Sequence, residues 1–112
     1  MSCTYQGNYD FPSLYEDDTF ISRDLTIAEE SGTTLASARL VFEKGGTATK
    51  TLTSSSGLTL TSTAAGNWII TIDEWTVDIA AGTHVYDLET TDSDGVVRHY
   101  MGGTFRVLES IA

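Results

Sequence analysis

Few residues in this 112-residue chain have the types and spacing that chemistry needs, and each such group has a plainer reading beside the functional one. Asp92-Ser93-Asp94-Gly95 repeats the opening of a calcium loop, in which carboxylates at alternate positions ahead of a glycine wrap a hard cation. The later oxygen ligands and the bidentate glutamate are missing at the required spacing, so these residues read as a hairpin turn. Asp73, Glu74 and Asp78 flank Trp75, a layout that could set paired carboxylates beside an aromatic sugar platform. A chain this small offers no deep cleft, and the segment reads as a solvated approach to a corner. His84 and His99 fall about four residues apart in the expected hairpin register, too far to share an ion, and read as packing or rim residues. Ser54-Ser55-Ser56 lacks the Gly-x-Ser-x-Gly elbow that exposes a nucleophile. Cys3, the sole cysteine, can form no intrachain disulfide and has no histidine near it in sequence to activate it. The sequence therefore assigns no catalytic residue, no cofactor and no metal ligand, and it predicts a protein that is not an enzyme.

The elements that carry these residues read as strands joined by turns. From Ala80 to Met101 two alternating β-branched and aromatic runs flank a polar turn ending in Asp94-Gly95, the pattern of a long hairpin. With Ser93 and Asp94 at its tip, Glu89 pairs with Arg98, Leu88 with His99 and Tyr86 with Met101. Leu35 to Lys44 has period two, with Ala36, Ala38, Leu40 and Phe42 on one face. Gly45-Gly46 turns it into Thr47 to Thr53, whose threonines predict an exposed edge strand. Trp68 to Ile72 is the most apolar run and predicts a central strand. Thr4 to Phe11, with Tyr5, Tyr9 and Phe11 as anchors, is expected to end at Pro12-Ser13. Thr19 to Ala28 places Ile21, Leu25 and Ile27 on one face, and Asp73 to Ile79 is the one segment where a helical turn fits. Gly102-Gly103 marks a bulge or bend in the last strand, where it would leave one partner and follow another. The expected core is Trp68, Ile70, Ile72, Tyr86, Leu88, Phe105 and Val107.

About nine short segments between turn signals argue for one antiparallel β-sandwich of immunoglobulin-like type, all-β and single-domain. Residues 1–10 are expected to be an amino-terminal arm or first strand, and residues 11–112 the sandwich itself. Sixteen acids against six bases give a net charge of −10, which disfavours nucleic acid and acidic membrane surfaces as partners. No apolar run is long enough to span a bilayer, and the amino terminus lacks the layout of a secretory signal. The chain is thus expected to be made in the cytosol or exported without a cleaved leader. Contacts are expected through an arm carrying Met1, Cys3 and Tyr5 and through the edge residues Thr47, Thr49 and Thr51.

Ala81-Gly82-Thr83-His84-Val85-Tyr86 resembles the immunoglobulin corner, with His84 where a tyrosine is usual and Tyr86 where the second cysteine is usual. On that resemblance Gly82, His84 and Tyr86 form a structural corner, and a histidine nitrogen would replace the tyrosine hydrogen bond. More of the chain resembles a group of small tailed-bacteriophage virion proteins with an immunoglobulin-like fold, similar to the amino-terminal domain of baseplate upper proteins. The residues that carry it are Phe11, Leu14-Tyr15-Glu16-Asp17-Asp18-Thr19-Phe20, Ala36 to Glu43, Gly57-Leu58-Thr59-Leu60, Trp68 to Ile72, Gly82 to Leu88, Asp94-Gly95 and Gly103-Thr104-Phe105-Arg106-Val107. Asp17 stands where that pattern has glycine. The resemblance implies a non-enzymatic structural or adaptor protein of the virion, placed in the tail, baseplate or fibre-attachment region and assembled in the host cytoplasm. Its partners would be other virion proteins, including further copies of itself in a symmetric particle. Two alternatives stay open: a capsid decoration protein, and a carbohydrate- or protein-binding β-sandwich module of a bacterial surface protein.

Overall fold

A computed structural model describes residues 7–28, 34–64 and 67–109. Its strands are β1 (Gly7–Asn8), β2 (Phe11–Tyr15), β3 (Thr19–Phe20), β4 (Arg23–Ala28), β5 (Leu35–Lys44), β6 (Thr47–Thr53), β7 (Leu58–Ala64), β8 (Asn67–Ile72), β9 (Trp75–Thr76), β10 (Gly82–Asp92) and β11 (Val97–Leu108). The fold is all-β, with no helix among the described residues. One sheet runs β1-β11-β10-β5-β6, with β2 also on β11, and a second runs β4-β8-β7. A small third sheet pairs β3 with β9.

The long hairpin forms, but its register differs from the sequence expectation at two points. The tip is a three-residue turn, Ser93 to Gly95, closed by Asp92 N–H donating to the Val96 carbonyl at 3.0 Å. Gly95 holds φ 85°, a left-handed position where a Cβ is unfavourable, which suits a turn of this length. Further down, Leu88 faces Met101 while Glu89 faces His99, so Tyr100 is an extra residue on β11. This bulge lets Tyr100 and Met101 both pack against the core. The longer turn sets Glu89 opposite His99 instead of Arg98, and turn and bulge together set Tyr86 opposite Gly103 instead of Met101. A second irregularity, between Thr91 and Asp92, skips Ala36 on β5, so Leu35 is buried and Ala36 is exposed, against the expected alternation.

The core joins both large sheets and the small one. Phe42, Leu40, Leu88 and Phe105 from the first sheet are fully buried, as are Ile70 and Ile72 from the second. Phe20, Phe42, Trp75 and Phe105 form an aromatic cluster with centroid spacings of 5.3–6.4 Å. Each such side chain contributes about 1.5–3 kcal/mol by leaving water. Trp68 is only partly buried, because it lies towards the end of β8, opposite Ser62 and Ile27. Thr19 to Ala28 is not one strand. It breaks at Ile21-Ser22 as the chain passes from the small sheet to the second, which buries Phe20 and leaves Ile21 73% exposed. Asp73 to Ile79 forms no helical turn, since Trp75–Thr76 pairs with β3 and Val77 N–H donates to Asp18 O at 2.8 Å.

The amino-terminal segment runs parallel along the free side of β11. Gly7–Asn8 therefore pairs within the sheet; Met1, Cys3 and Tyr5 lie outside the described residues. Pro12-Ser13 does not end the strand. Both lie in a register shift of β2, where a proline without an N–H is tolerated at a sheet margin. Gly103 is the crossing point, because β11 pairs with β1 at Met101 and Gly102 and with β2 from Phe105 onward. A Cβ on Gly103 would stand 2.1 Å from the Tyr9 carbonyl oxygen, so only glycine fits. Gly103→Ala is expected to lower stability by about 1–3 kcal/mol, as overpacking against backbone does. Urea unfolding that shows an unchanged midpoint would contradict this close approach.

Candidate functional site

The corner before β10 is held by a buried histidine. Alternation along β10 sends His84 inward, where it is fully buried. Its Nε2 lies 2.7 Å from the Ala80 carbonyl oxygen, and a carbonyl can only accept, so Nε2 carries a proton. Its Nδ1 lies 2.9 Å from Thr49 Oγ1, which also sits 3.1 Å from the Phe42 carbonyl oxygen. The Nε2 bond ties the His84 ring to a backbone carbonyl four residues upstream. Tyr86, two residues on, is buried and stacks on Phe11 at 4.6 Å. Its hydroxyl donates to the Tyr9 carbonyl at 2.5 Å, and burial, followed by the nearby Asp10 carboxylate, pushes its pKa well above the usual phenol range. Tyr86 thus ties the amino-terminal segment to the middle of the first sheet.

Within the described residues β6 has β5 as its one strand neighbour, apart from a bridge between Thr53 and Gly57, and ends its sheet, so it is the edge expected from its composition. Thr47 and Thr51 are exposed. The Thr49 hydroxyl is engaged by His84 and by the Phe42 carbonyl. Lys50 reaches from the same strand over the Trp75 ring at 4.8 Å and towards Asp78 at 3.4 Å. Trp75 is further stacked on Phe20 at 5.3 Å, so it is no open sugar platform. Asp73 accepts a hydrogen bond from the Thr59 hydroxyl at 3.0 Å.

The turn that echoes a calcium loop uses its first carboxylate internally. Asp92 is buried, and its Oδ1 accepts from the Asp94 and Val96 N–H groups at 2.9 Å each. Its Oδ2 takes Arg98 Nη1 at 2.8 Å. The Arg98 guanidinium, then the Val96 N–H, hold the Asp92 carboxyl below the usual carboxylate range. Arg98 was expected opposite Glu89; the longer turn instead gives it to Asp92.

The outer face of the first sheet carries a row of charges that sequence reasoning missed. Arg39 on β5 lies 3.8 Å from Glu89 on β10, Glu89 lies 3.7 Å from His99 Nε2 on β11, and His99 Nδ1 lies 2.7 Å from Asp87. One ligand-type atom from each of Asp87, Glu89 and His99 lies within 4.8 Å of the others. The expected register puts His99 opposite Leu88, on the core face; the three-residue turn moves it one place, opposite Glu89 and outward. The available signal was the Asp87-x-Glu89 spacing, which places both carboxylates on one strand face. Beside this row a groove of about 410 Å³ is lined by Ser37, Arg39, Thr53, Ser54, Glu89 and Thr91 among others. No protein-family model matches the chain, and no curated protein matches it.

Two outcomes follow. His84→Phe keeps the ring volume but strands the Ala80 carbonyl and takes one of the two partners of the Thr49 hydroxyl, and is expected to cost about 1–3 kcal/mol in urea unfolding. Because the folded Asp92 carboxyl titrates below its unfolded value of about 3.9, its contribution is present above that value and lost as pH falls through the folded one. Thermal melts from neutral to acid pH should show a steeper decline for the native chain than for Asp92→Asn, and parallel curves would contradict the role given to Arg98.

Proposed function

We propose that the chain is an immunoglobulin-like sandwich that serves a tailed-phage virion as a non-enzymatic structural or adaptor protein, acting through its sheet edge. Three observations support the fold part of this reading. The order β11-β10-β5-β6 facing β4-β8-β7 has the pattern of strands G-F-C-C′ and B-E-D. The His84 bond to Ala80 supplies the corner contact in the tyrosine place. Asp17, where the virion pattern has glycine, holds φ 71°, a backbone conformation that favours glycine.

The unpaired side of β6 carries the functional part. An edge strand with exposed Thr47 and Thr51 offers backbone donors and acceptors that a strand from a neighbouring protein can satisfy, with affinity from main-chain bonds and little demand on sequence. The acidic surface, −10 overall, limits indiscriminate pairing and favours a partner with compensating positive charge. The hydroxyl-lined groove beside Arg39 and Glu89 favours one other reading, a shallow glycan-binding face.

Particles assembled with Ala48→Pro, after circular dichroism and melting have shown the variant folded, should carry less of this chain when quantified by mass spectrometry. Deletion of residues 1–6 should also leave the melt unchanged and lower incorporation. Normal amounts of both variants in particles would refute the contact role, and saturable oligosaccharide binding lost on Arg39→Ala would favour the glycan reading.

A further inference from the structure

We propose that Asp87, Glu89 and His99 form a binding site for a divalent first-row transition ion, with Zn2+ as its simplest occupant. The site is independent of the virion reading. Glu89 and His99 are direct partners across the β10–β11 ladder, and Asp87 precedes Glu89 by two residues, so all three side chains leave the same face. Their ligand atoms lie within 4.8 Å of one another. Small rotations of these side chains bring that spread to the roughly 3 Å edge of a shell with metal–ligand bonds of about 2.0–2.2 Å. The His99 and Asp87 side chains are 53% and 51% exposed, which gives an ion entry and leaves room for water to complete its coordination.

The donor set selects the ion. One imidazole nitrogen with two carboxylate oxygens suits zinc, cobalt, nickel or manganese, whereas calcium and magnesium take oxygen ligands throughout. The two carboxylates neutralise a 2+ charge, and the net charge of −10 raises the local cation concentration. Without an ion the His99 ring lies 2.7 Å from Asp87 and 3.7 Å from Glu89, so the same atoms satisfy one another; on binding, the metal replaces any proton on the ring nitrogen it takes, and that proton leaves to solvent. Glu89 must also turn from Arg39, a contact of 3.8 Å between partly exposed groups that is weak in water. The three-residue turn at Ser93 to Gly95 supports the assignment, since it sets Thr91 opposite Val97 and so brings Glu89 opposite His99 on the outer face.

The test is calorimetric titration of the whole chain with Zn2+, followed by NMR of its two histidine rings. One equivalent should bind, moving the His99 resonances and leaving those of His84 in place. His99→Gln and Glu89→Gln, each with an unchanged melt before metal is added, should weaken binding by about tenfold or more. Millimolar Mg2+ or Ca2+ should leave the His99 signals unmoved. Absence of saturable Zn2+ binding, binding that survives His99→Gln but is lost on Cys3→Ser, or an equal response to Mg2+ would overturn the site.

Discussion

The ladder between β10 and β11 is the constraint on which the rest of the molecule depends. It is the longest pairing in the first sheet, running from Gly82 opposite Val107 to Thr91 opposite Val97. β10 also carries β5, while β11 carries β1 and β2, so every other strand of that sheet takes its position from these two. A one-residue slip would send Leu88 and Phe105 to water and charged residues to the core, a change of many kcal/mol. The bulge at Tyr100 reconciles two demands within this ladder. It lets Tyr100 and Met101 both contact the core while the register set by the turn keeps His99 beside Glu89 outside it.

Aromatic packing turns that ladder into a closed core. Phe11 stacks on Tyr86, and Phe20 meets Phe105 edge-on at 5.6 Å, so the amino-terminal strands are held by ring contacts as well as by parallel pairing. Tyr86 adds a hydrogen bond to the Tyr9 carbonyl that brings the chain against Gly103. His84, one inward position before Tyr86 on the same strand, fastens the corner to Ala80 and the edge strand through Thr49. Two polar side chains on one buried face thus link the amino terminus, the corner and β6.

These same constraints leave the outer side of β6 and the charged row on the outer face of the first sheet without packing partners in the core. Residues that could have done chemistry elsewhere are engaged internally: Asp92 by Arg98 and two backbone amides, Trp75 by Phe20 and Lys50. The reading of the chain as a protein that works by contact rests on that distribution. The charged row from Arg39 to Asp87 is the exception, because its groups face outward and lie close enough to act together.

Composition and period-two alternation along the chain by themselves determined the all-β class, the strands around Leu35 to Lys44 and Trp68 to Ile72, the edge character of Thr47 to Thr53, and six of the seven expected core residues, Ile70, Ile72, Tyr86, Leu88, Phe105 and Val107. Burial acts on each residue through its own side chain, so composition along the chain records it. Register is different, because it depends on what lies across the ladder. The turn at Ser93 to Gly95 and the bulge at Tyr100 each moved the pairing by one residue, and neither move changes the local pattern enough to be read from one strand. Phe20 facing the core while Ile21 faces water was likewise decided by the passage of the chain between sheets, and the partial exposure of Trp68 by its place towards the end of β8. Only the tertiary structure could bring Asp87, Glu89 and His99 together, since the distances that make them a site run across strands and not along the chain.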